Sequence, residues 1–147
     1  MSMSNKLREI TKEEWRELGF YYEQDENDRH WKLVGSRSGL LRLTEILDEY
    51  CSNPRNEQIS EHDHLGPYMY LKIITMDECV IEEGGIYGSI LDLGRLSSIV
   101  REELNKAKQS DRIIIDRAYS EINNYKIVLE VREEGFDPAS EDSELWN

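Results

Sequence analysis

The sequence has few of the features that mark secreted, disulfide-rich or membrane proteins. Its 147 residues include only two cysteines, Cys51 and Cys79, too few for a disulfide framework in a chain long enough to bury a core. No stretch approaches the roughly 18 apolar residues that a membrane span needs. The start, MSMSNKLREITKEEW, has no apolar segment of the secretory type. We therefore predict a cytoplasmic protein with both thiols reduced.

Signatures of common enzyme classes are also missing. There is no GxSxG elbow for a nucleophilic serine. The glycine-rich stretch EEGGIYGS has no phosphate-loop lysine, and its two acids would repel phosphate. Both cysteines flank predicted elements, where a buried thiol is usually an inert small hydrophobe. We predict no catalytic residue and no cofactor.

Basic residues are scarce in two stretches of the chain. With 18 Lys and Arg against 31 Asp and Glu, the net charge is −13. Residues 77–92 hold five acids and no base, and residues 133–147 hold six acids and no base. Such a field repels nucleic acid and anionic membranes and attracts basic surfaces. We predict a basic protein partner, no nucleic acid and no membrane.

Apolar residues at helical spacing predict two main helices. They lie near residues 38–51 and 92–108, with apolar stripes formed by Leu40, Leu43, Leu47 and Tyr50 in the first and by Leu93, Leu96, Val100, Leu104 and Ala107 in the second. A shorter helix is expected to begin at Thr11, because Glu14 follows three positions later as in a capping box.

Strand-like runs joined by short turns predict a mostly antiparallel sheet of about six strands. With two main helices on one face of that sheet, the fold class is α+β, a two-layer sandwich. We expect one domain over residues 1–134. Residues 135–147 are rich in acid, Gly, Pro and Ser and are expected to form a partly ordered tail.

Two segments of the chain echo each other at an offset of 53 residues. GSRSGLLRLTEIL begins at Gly35 and GSILDLGRLSSIV begins at Gly88, with Gly, Ser, Leu, Arg, Leu and Ile in common. In each segment a Gly-Ser turn leads into a helix stripe. The echo supports the hypothesis of an internal ββα duplication.

The segment EHDH, Glu61-His62-Asp63-His64, is the best candidate for metal chemistry. On extended backbone His62 and His64 would share a face, as in His-x-His sites for zinc. The segment has no second clustered pair to complete a site, so we interpret it as a polar loop leading into a strand. A small metal-dependent enzyme is the alternative.

The internal acidic stretch is the candidate binding surface. Asp77, Glu78, Glu82 and Glu83 fall on a predicted strand and turn, so their ordering would cost less entropy on binding than ordering of the tail. We expect these four acids to meet a basic partner.

Three further motifs carry a resemblance to a known family. HDHLGPYMYLKI, IYGSILDLGRLSSIV and GFDPAS resemble small bacterial immunity proteins of polymorphic toxin systems, over roughly residues 30–140. The resemblance implies a cytoplasmic antidote that binds and neutralises a toxin, and it implies no catalytic residues. A structural or oligomerising domain is a further alternative, and the sequence does not specify an oligomeric state.

Overall fold

A computed structural model of the chain describes residues 4–57, 62–67 and 71–146. Its α-helices are Asn5–Leu18 (α1), Arg37–Ser52 (α2) and Ile90–Lys106 (α3). Its strands are Tyr21–Asp25 (β1), His30–Ser36 (β2), His62–Leu65 (β3), Leu71–Thr75 (β4), Val80–Glu82 (β5), Gly85–Gly88 (β6), Arg112–Ile115 (β7) and Lys126–Arg132 (β8). Short 3-10 helices span Pro54–Glu57, Pro138–Glu141 and Ser143–Leu145.

The strands form two four-stranded sheets. Sheet A has the order β1-β2-β8-β7 and sheet B the order β3-β4-β6-β5. The outer pairs of each sheet are antiparallel hairpins, whereas the central pairs, β2 with β8 and β4 with β6, are parallel. The fold is α+β, and four of the six strand pairs in the described residues are antiparallel as predicted, but the prediction of a single sheet of about six strands is wrong. The first hairpin, β1–β2, pairs with the last, β7–β8, and the two middle hairpins pair with each other, which splits the strands between two sheets.

The two main helices begin at matching serines. Ser36 caps α2 by accepting a hydrogen bond from the Gly39 amide at 3.0 Å, and Ser89 caps α3 by accepting one from the Asp92 amide at 3.1 Å. The predicted apolar stripes are buried. Contrary to the expectation of two helices on one sheet face, α2 packs against β2 and β8 of sheet A while α3 packs against β6 of sheet B, and the helices pack against each other.

Residues 21–132 consist of two halves whose α-helix and strands follow the same order. A hairpin, a helix and a second hairpin run through β1, β2, α2, β3 and β4, and again through β5, β6, α3, β7 and β8. Gly35 pairs with Val131 in sheet A as Gly88 pairs with Thr75 in sheet B. The 53-residue echo therefore marks equivalent positions in the two sheets. A duplicated unit would comprise both hairpins and the helix, which is larger than the ββα unit predicted.

Side chains of sheet A reach sheet B and help to close a shared core. The buried Tyr22 hydroxyl on β1 donates to the carbonyl of Leu65 and accepts from the amide of Leu71 at 3.3 Å. Trp15 of α1 packs edge-on against Tyr22, with ring centroids 5.2 Å apart. Helix α1 begins at Asn5, capped by Ser4, so the predicted start at Thr11 is wrong. Thr11 lies buried inside the helix.

The C-terminal segment, expected to be a partly ordered tail, packs against α1 and the first hairpin through its 3-10 helices. Ala139 and Leu145 are buried there. Asp142 is 2% exposed and accepts a hydrogen bond from Trp15 Nε1 at 2.9 Å. The contact with Trp15 explains how so acidic a segment is held, because it adds a buried hydrogen bond to apolar packing.

Candidate functional site: an acidic cleft

The four predicted acids do not form one group. Asp77 and Glu78 lie in the exposed connection between β4 and β5, whereas Glu82 ends β5 and Glu83 begins the turn into β6. The two pairs therefore lie at opposite ends of β5. The pair formed by Glu82 and Glu83 borders a cleft, and residues from two other hairpins complete it.

Hydrogen bonds hold the first hairpin against the turn between β5 and β6. Trp31 Nε1 donates to the Glu82 carbonyl at 2.9 Å, and Gln24 Nε2 donates to the Glu83 carbonyl at 2.7 Å. Trp31 is buried, so its N–H needs a partner, and the turn supplies one. These bonds fix the positions of both acidic residues through their main chain.

The connection between β7 and β8 closes the other side of the cleft. The Ile81 carbonyl accepts from the amides of Asn124 and Tyr125 at 3.1 and 3.0 Å, and the Ile81 amide donates to Asn123 Oδ1 at 2.7 Å. The Asn124 side chain donates to Glu82 Oε1 at 2.9 Å. The edge of β5 is thereby paired with this connection along Ile81, so the cleft wall is ordered.

The tip of the first hairpin contributes a turn of unusual backbone geometry. Asp25 Oδ1 accepts from the amides of Asn27 and Asp28 at 2.9 and 3.1 Å, which lowers the pKa of the Asp25 carboxyl. Arg29 follows with a φ of 52°, a left-handed conformation that is uncommon outside glycine. Its carbonyl accepts from the Lys126 amide at 3.1 Å, which ties the tip to β8.

The resulting cleft has a volume of about 380 Å³. Its lining consists of Glu26, Arg29, Glu82, Glu83, Asn124 and Tyr125. Among the described residues, none of its three carboxylates takes part in an ion pair within 4.0 Å. Three acids thus face one base across a small, ordered concavity, which gives the cleft a negative potential.

The negative charge of the cleft affects the pKa of Tyr125. Burial raises the pKa of its phenol, and the charges of Glu83 and Glu26 raise it further while Arg29 opposes them. The phenol is therefore neutral at physiological pH, and Tyr125 contributes a largely buried aromatic side chain beside the carboxylates. Tyrosine is favoured at protein interfaces for such a combination of area and polarity.

The lining chemistry suits the binding of a cation. The carboxylates of Glu26, Glu82 and Glu83 and the neutral phenol of Tyr125 are among the groups of the lining. Carboxylates on ordered backbone are suited to accepting hydrogen bonds from a guanidinium or ammonium group. The arrangement can receive a basic side chain of a partner.

The EHDH segment is placed in part. His62–Leu65 forms β3, paired antiparallel with β4, so the prediction of a polar loop is wrong for these residues. His62 and His64 lie at alternate positions of the strand, and His64 is exposed. Glu61 and the side chains of His62 and Asp63 lie outside the described residues. Elsewhere in the described part, no three metal-ligating side chains gather, and metal binding at His62 and His64 stays a hypothesis.

Sequence reasoning missed four of the residues that line the cleft. Glu26 and Arg29 belong to the segment DENDR between β1 and β2, and Asn124 and Tyr125 directly precede β8. Acidic residues in two turns were the available signal. Their proximity depends on the exchange of hairpins between the halves, which no local pattern reveals.

Comparisons with known proteins add no relative: no family model matches the chain, and neither the curated proteins nor the solved structures contain a match. None of the helices in the described part of the chain combines the length and the apolar character that a membrane crossing requires.

Proposed function

We propose that this chain is a non-enzymatic binding protein that recognises a basic protein through the acidic cleft and acts in the cytoplasm as an immunity protein against a bacterial toxin. The observation that carries the proposal is the cleft itself, where Glu26, Glu82 and Glu83 face a small concavity without ion-pair partners among the described residues. Toxins that cut nucleic acid need basic surfaces, and an acidic partner can occupy them.

The order of the cleft wall supports binding without a large entropic cost. Side-chain hydrogen bonds from Trp31 and Gln24 hold the carbonyls of Glu82 and Glu83, and the main-chain amides of Asn124 and Tyr125 hold the neighbouring Ile81 carbonyl. A preorganised surface loses less conformational freedom on association than a mobile one. Two acids of the C-terminal segment are less available to a partner, because Asp137 is already paired with Arg16 and Asp142 accepts a hydrogen bond from Trp15.

A growth assay tests the function. The neighbouring gene of the source genome is expressed in a heterologous host, alone and together with this chain. The proposal expects growth arrest by a basic gene product, relief of the arrest by the wild-type chain, and weaker relief by the cleft variant Glu26→Lys/Glu83→Lys. The matched control is Asp77→Lys/Glu78→Lys, which reverses the same number of acids at the other end of β5.

Absence of relief by the wild-type chain would contradict the immunity proposal. Equal relief by wild type and both variants would remove the cleft from the recognition surface. Glu82 is left unchanged in the cleft variant because its carboxylate accepts the hydrogen bond from Asn124, so that loss of relief is not confused with a disturbed wall.

A metal-dependent enzyme remains the second candidate, favoured by the alternation of His62 and His64 on β3. Elemental analysis of protein purified without chelator or affinity-tag metal decides it. Stoichiometric zinc that is lost in His62→Ala/His64→Ala would promote this candidate over the binding protein.

A further inference from the structure

Strand β7 leaves one edge of sheet A open. Within the described part of the chain, β7 pairs with β8 and with no other strand. The Val131 amide donates to the Asp111 carbonyl at 2.9 Å. In an antiparallel pair the inward and outward residues alternate, so the main-chain groups of Arg112 and Ile114 point away from β8. An open edge of this kind is a template for pairing with another strand.

The edge strand β5 of sheet B is not open in this way. At β5, the amide and carbonyl of Ile81 are both bonded to the segment Asn123–Tyr125, so that edge is covered by the chain itself. At β7 a side chain increases the attraction of the open edge, because Ile114 is 52% exposed. Exposed isoleucine on an unpaired strand favours association.

The sequence of this edge is self-complementary in charge. Residues 112–116 read RIIID. When two copies pair antiparallel about Ile114, Arg112 of one copy stands opposite Asp116 of the other, which directly follows the last residue of β7. A parallel, in-register pairing would instead place like charges opposite each other. Opposite charges across an antiparallel pair stabilise it, and like charges destabilise it.

Neighbouring groups leave these charges available. Arg112 Nε lies 3.6 Å from Glu130 Oε2, and its side chain is still 51% exposed. The Asp116 carboxylate accepts from the Asn123 side chain at 3.1 Å, a contact that fixes its position at the end of the strand. The two charged groups therefore flank the apolar centre of the edge from positions that are held by the fold.

We propose that two copies of this chain associate through antiparallel pairing of their β7 strands, centred on Ile114, so that the two A sheets become one continuous eight-stranded sheet. The contact is short, because β7 spans only Arg112–Ile115, so the dimer forms and dissociates with concentration. The association does not depend on the proposed function, because it uses a different strand from the cleft.

Sedimentation velocity over a wide range of protein concentration tests this pairing. The wild type is expected to shift from the mass of one chain towards twice that mass as concentration rises. Ile114→Lys should remain at the mass of one chain, because two lysines then stand directly opposite each other. The control is Ile122→Lys: Ile122 is 53% exposed and outside β7, and this variant should dimerise like the wild type.

Mixing two variants tests the register and guards against a folding defect. Ile114→Lys and Ile114→Glu should each be monomeric, and their equimolar mixture should form a dimer because opposite charges now face each other at the centre. Hydrogen exchange measured by NMR adds a site-specific readout. The amides of Arg112 and Ile114 should exchange several-fold more slowly at high than at low wild-type concentration.

Three results would overturn the proposal. The first is a wild type that stays monomeric at every concentration. The second is an Ile114→Lys variant that dimerises as well as the wild type, which would place the contact elsewhere. The third is a mixture of the Lys and Glu variants that stays monomeric while the wild type dimerises, which would exclude the antiparallel register centred on Ile114.

Discussion

The two halves of the molecule share their regular elements and differ in their connections. Each half has a Gly-Ser step, a serine-capped helix and a pair of hairpins, with equivalent registers about Gly35 and Gly88. The segment between β7 and β8, residues 116–125, is longer than its counterpart between β3 and β4, residues 66–70. That longer segment supplies Asn124 and Tyr125 to the cleft.

The difference between the connections suggests that stability and recognition depend on different residues. Residues that the halves share fill the core, whereas the candidate binding residues come from turns and from the longer connection. A rigid repeated scaffold that carries variable connections is a common way of presenting a binding surface. The comparison therefore predicts that equivalent core substitutions have similar effects in both halves, while substitutions that touch the unshared connection do not.

The largest expected effect comes from the equivalent core leucines. Leu43 of α2 and Leu96 of α3 are 53 residues apart, and both are fully buried. Leu43→Ala and Leu96→Ala should each lower the free energy of unfolding by about 2–5 kcal/mol, because each removes buried methyl groups and leaves a cavity. Urea unfolding of the wild type and the two variants measures this loss in the free energy of unfolding. A loss below about 1 kcal/mol in only one of them would show that the halves do not contribute equally to the core.

An unequal effect is expected at the equivalent glycines. A Cβ at Gly88 would overlap the hydroxyl of Tyr119, which belongs to the longer connection and donates to the Tyr87 carbonyl at 2.7 Å. A Cβ at Gly35 would press less closely on Phe20 Cβ at 3.2 Å and on the Gly19 carbonyl at 3.3 Å. Gly88→Ala should therefore cost more stability than Gly35→Ala, by roughly 1–3 kcal/mol.

The same glycine pair offers a control for this explanation. Tyr119→Phe removes the hydroxyl that the new methyl group would meet. If the collision is the cause, Gly88→Ala/Tyr119→Phe should lose less stability than the sum of the two single variants, measured by thermal or urea unfolding. Additive losses would mean that Gly88 is required for a different reason.

The smallest effect concerns the C-terminal segment, which packs on the first hairpin and α1. Hydrogen bonds from Arg16 at 3.1 and 2.9 Å lower the pKa of Asp137, and they form a surface ion pair. Since the pKa is lower when folded, the contribution is present above the ordinary carboxyl pKa of about 3.9 and is lost as pH falls through the lowered value. Both groups are over a third exposed, so the contribution is at most about 1 kcal/mol.

Acid titration of the wild type and Asp137→Asn measures this contact. The variant should already exchange the amides of residues 138–146 faster near neutral pH, and further acid should change their exchange less than in the wild type. Because the intrinsic exchange rate of an amide changes with pH, each measured rate is divided by the rate of an unstructured peptide at the same pH. Identical protection in both proteins at neutral pH would show that Asp142 and the buried residues of the segment hold it without Arg16.

The fold was predictable where it depends on local pattern. The apolar stripes gave helices near 38–51 and 92–108, and the structure has them at Arg37–Ser52 and Ile90–Lys106. The capping box at Thr11 misled because Ser4, upstream, caps the same helix. The polar residues of EHDH gave no strand pattern, because β3 is stabilised by its pairing with β4 and does not show apolar alternation.

The arrangement of hairpins was not predictable from local pattern. Each hairpin is encoded by its own turn and strands, but local pattern specifies neither the parallel pairing of β2 with β8, which are far apart in sequence, nor that of β4 with β6, which belong to adjacent hairpins. The same limit applies to the site. Glu82 and Glu83 could be selected from their acidic surroundings, whereas Glu26 and Arg29 joined them only through the bonds that Trp31 and Gln24 make to the β5–β6 turn.

The central claim is that the acidic cleft is the recognition surface, and the association rate with the basic partner from the growth assay tests it most directly. The rate is measured for wild type, Glu26→Lys/Glu83→Lys and Asp77→Lys/Glu78→Lys at low and at physiological salt. The cleft variant should associate roughly tenfold more slowly at low salt, with a smaller difference at higher salt because the charges are screened. The control should stay close to wild type. Equal slowing of both variants, or slowing of the control alone, would contradict the claim.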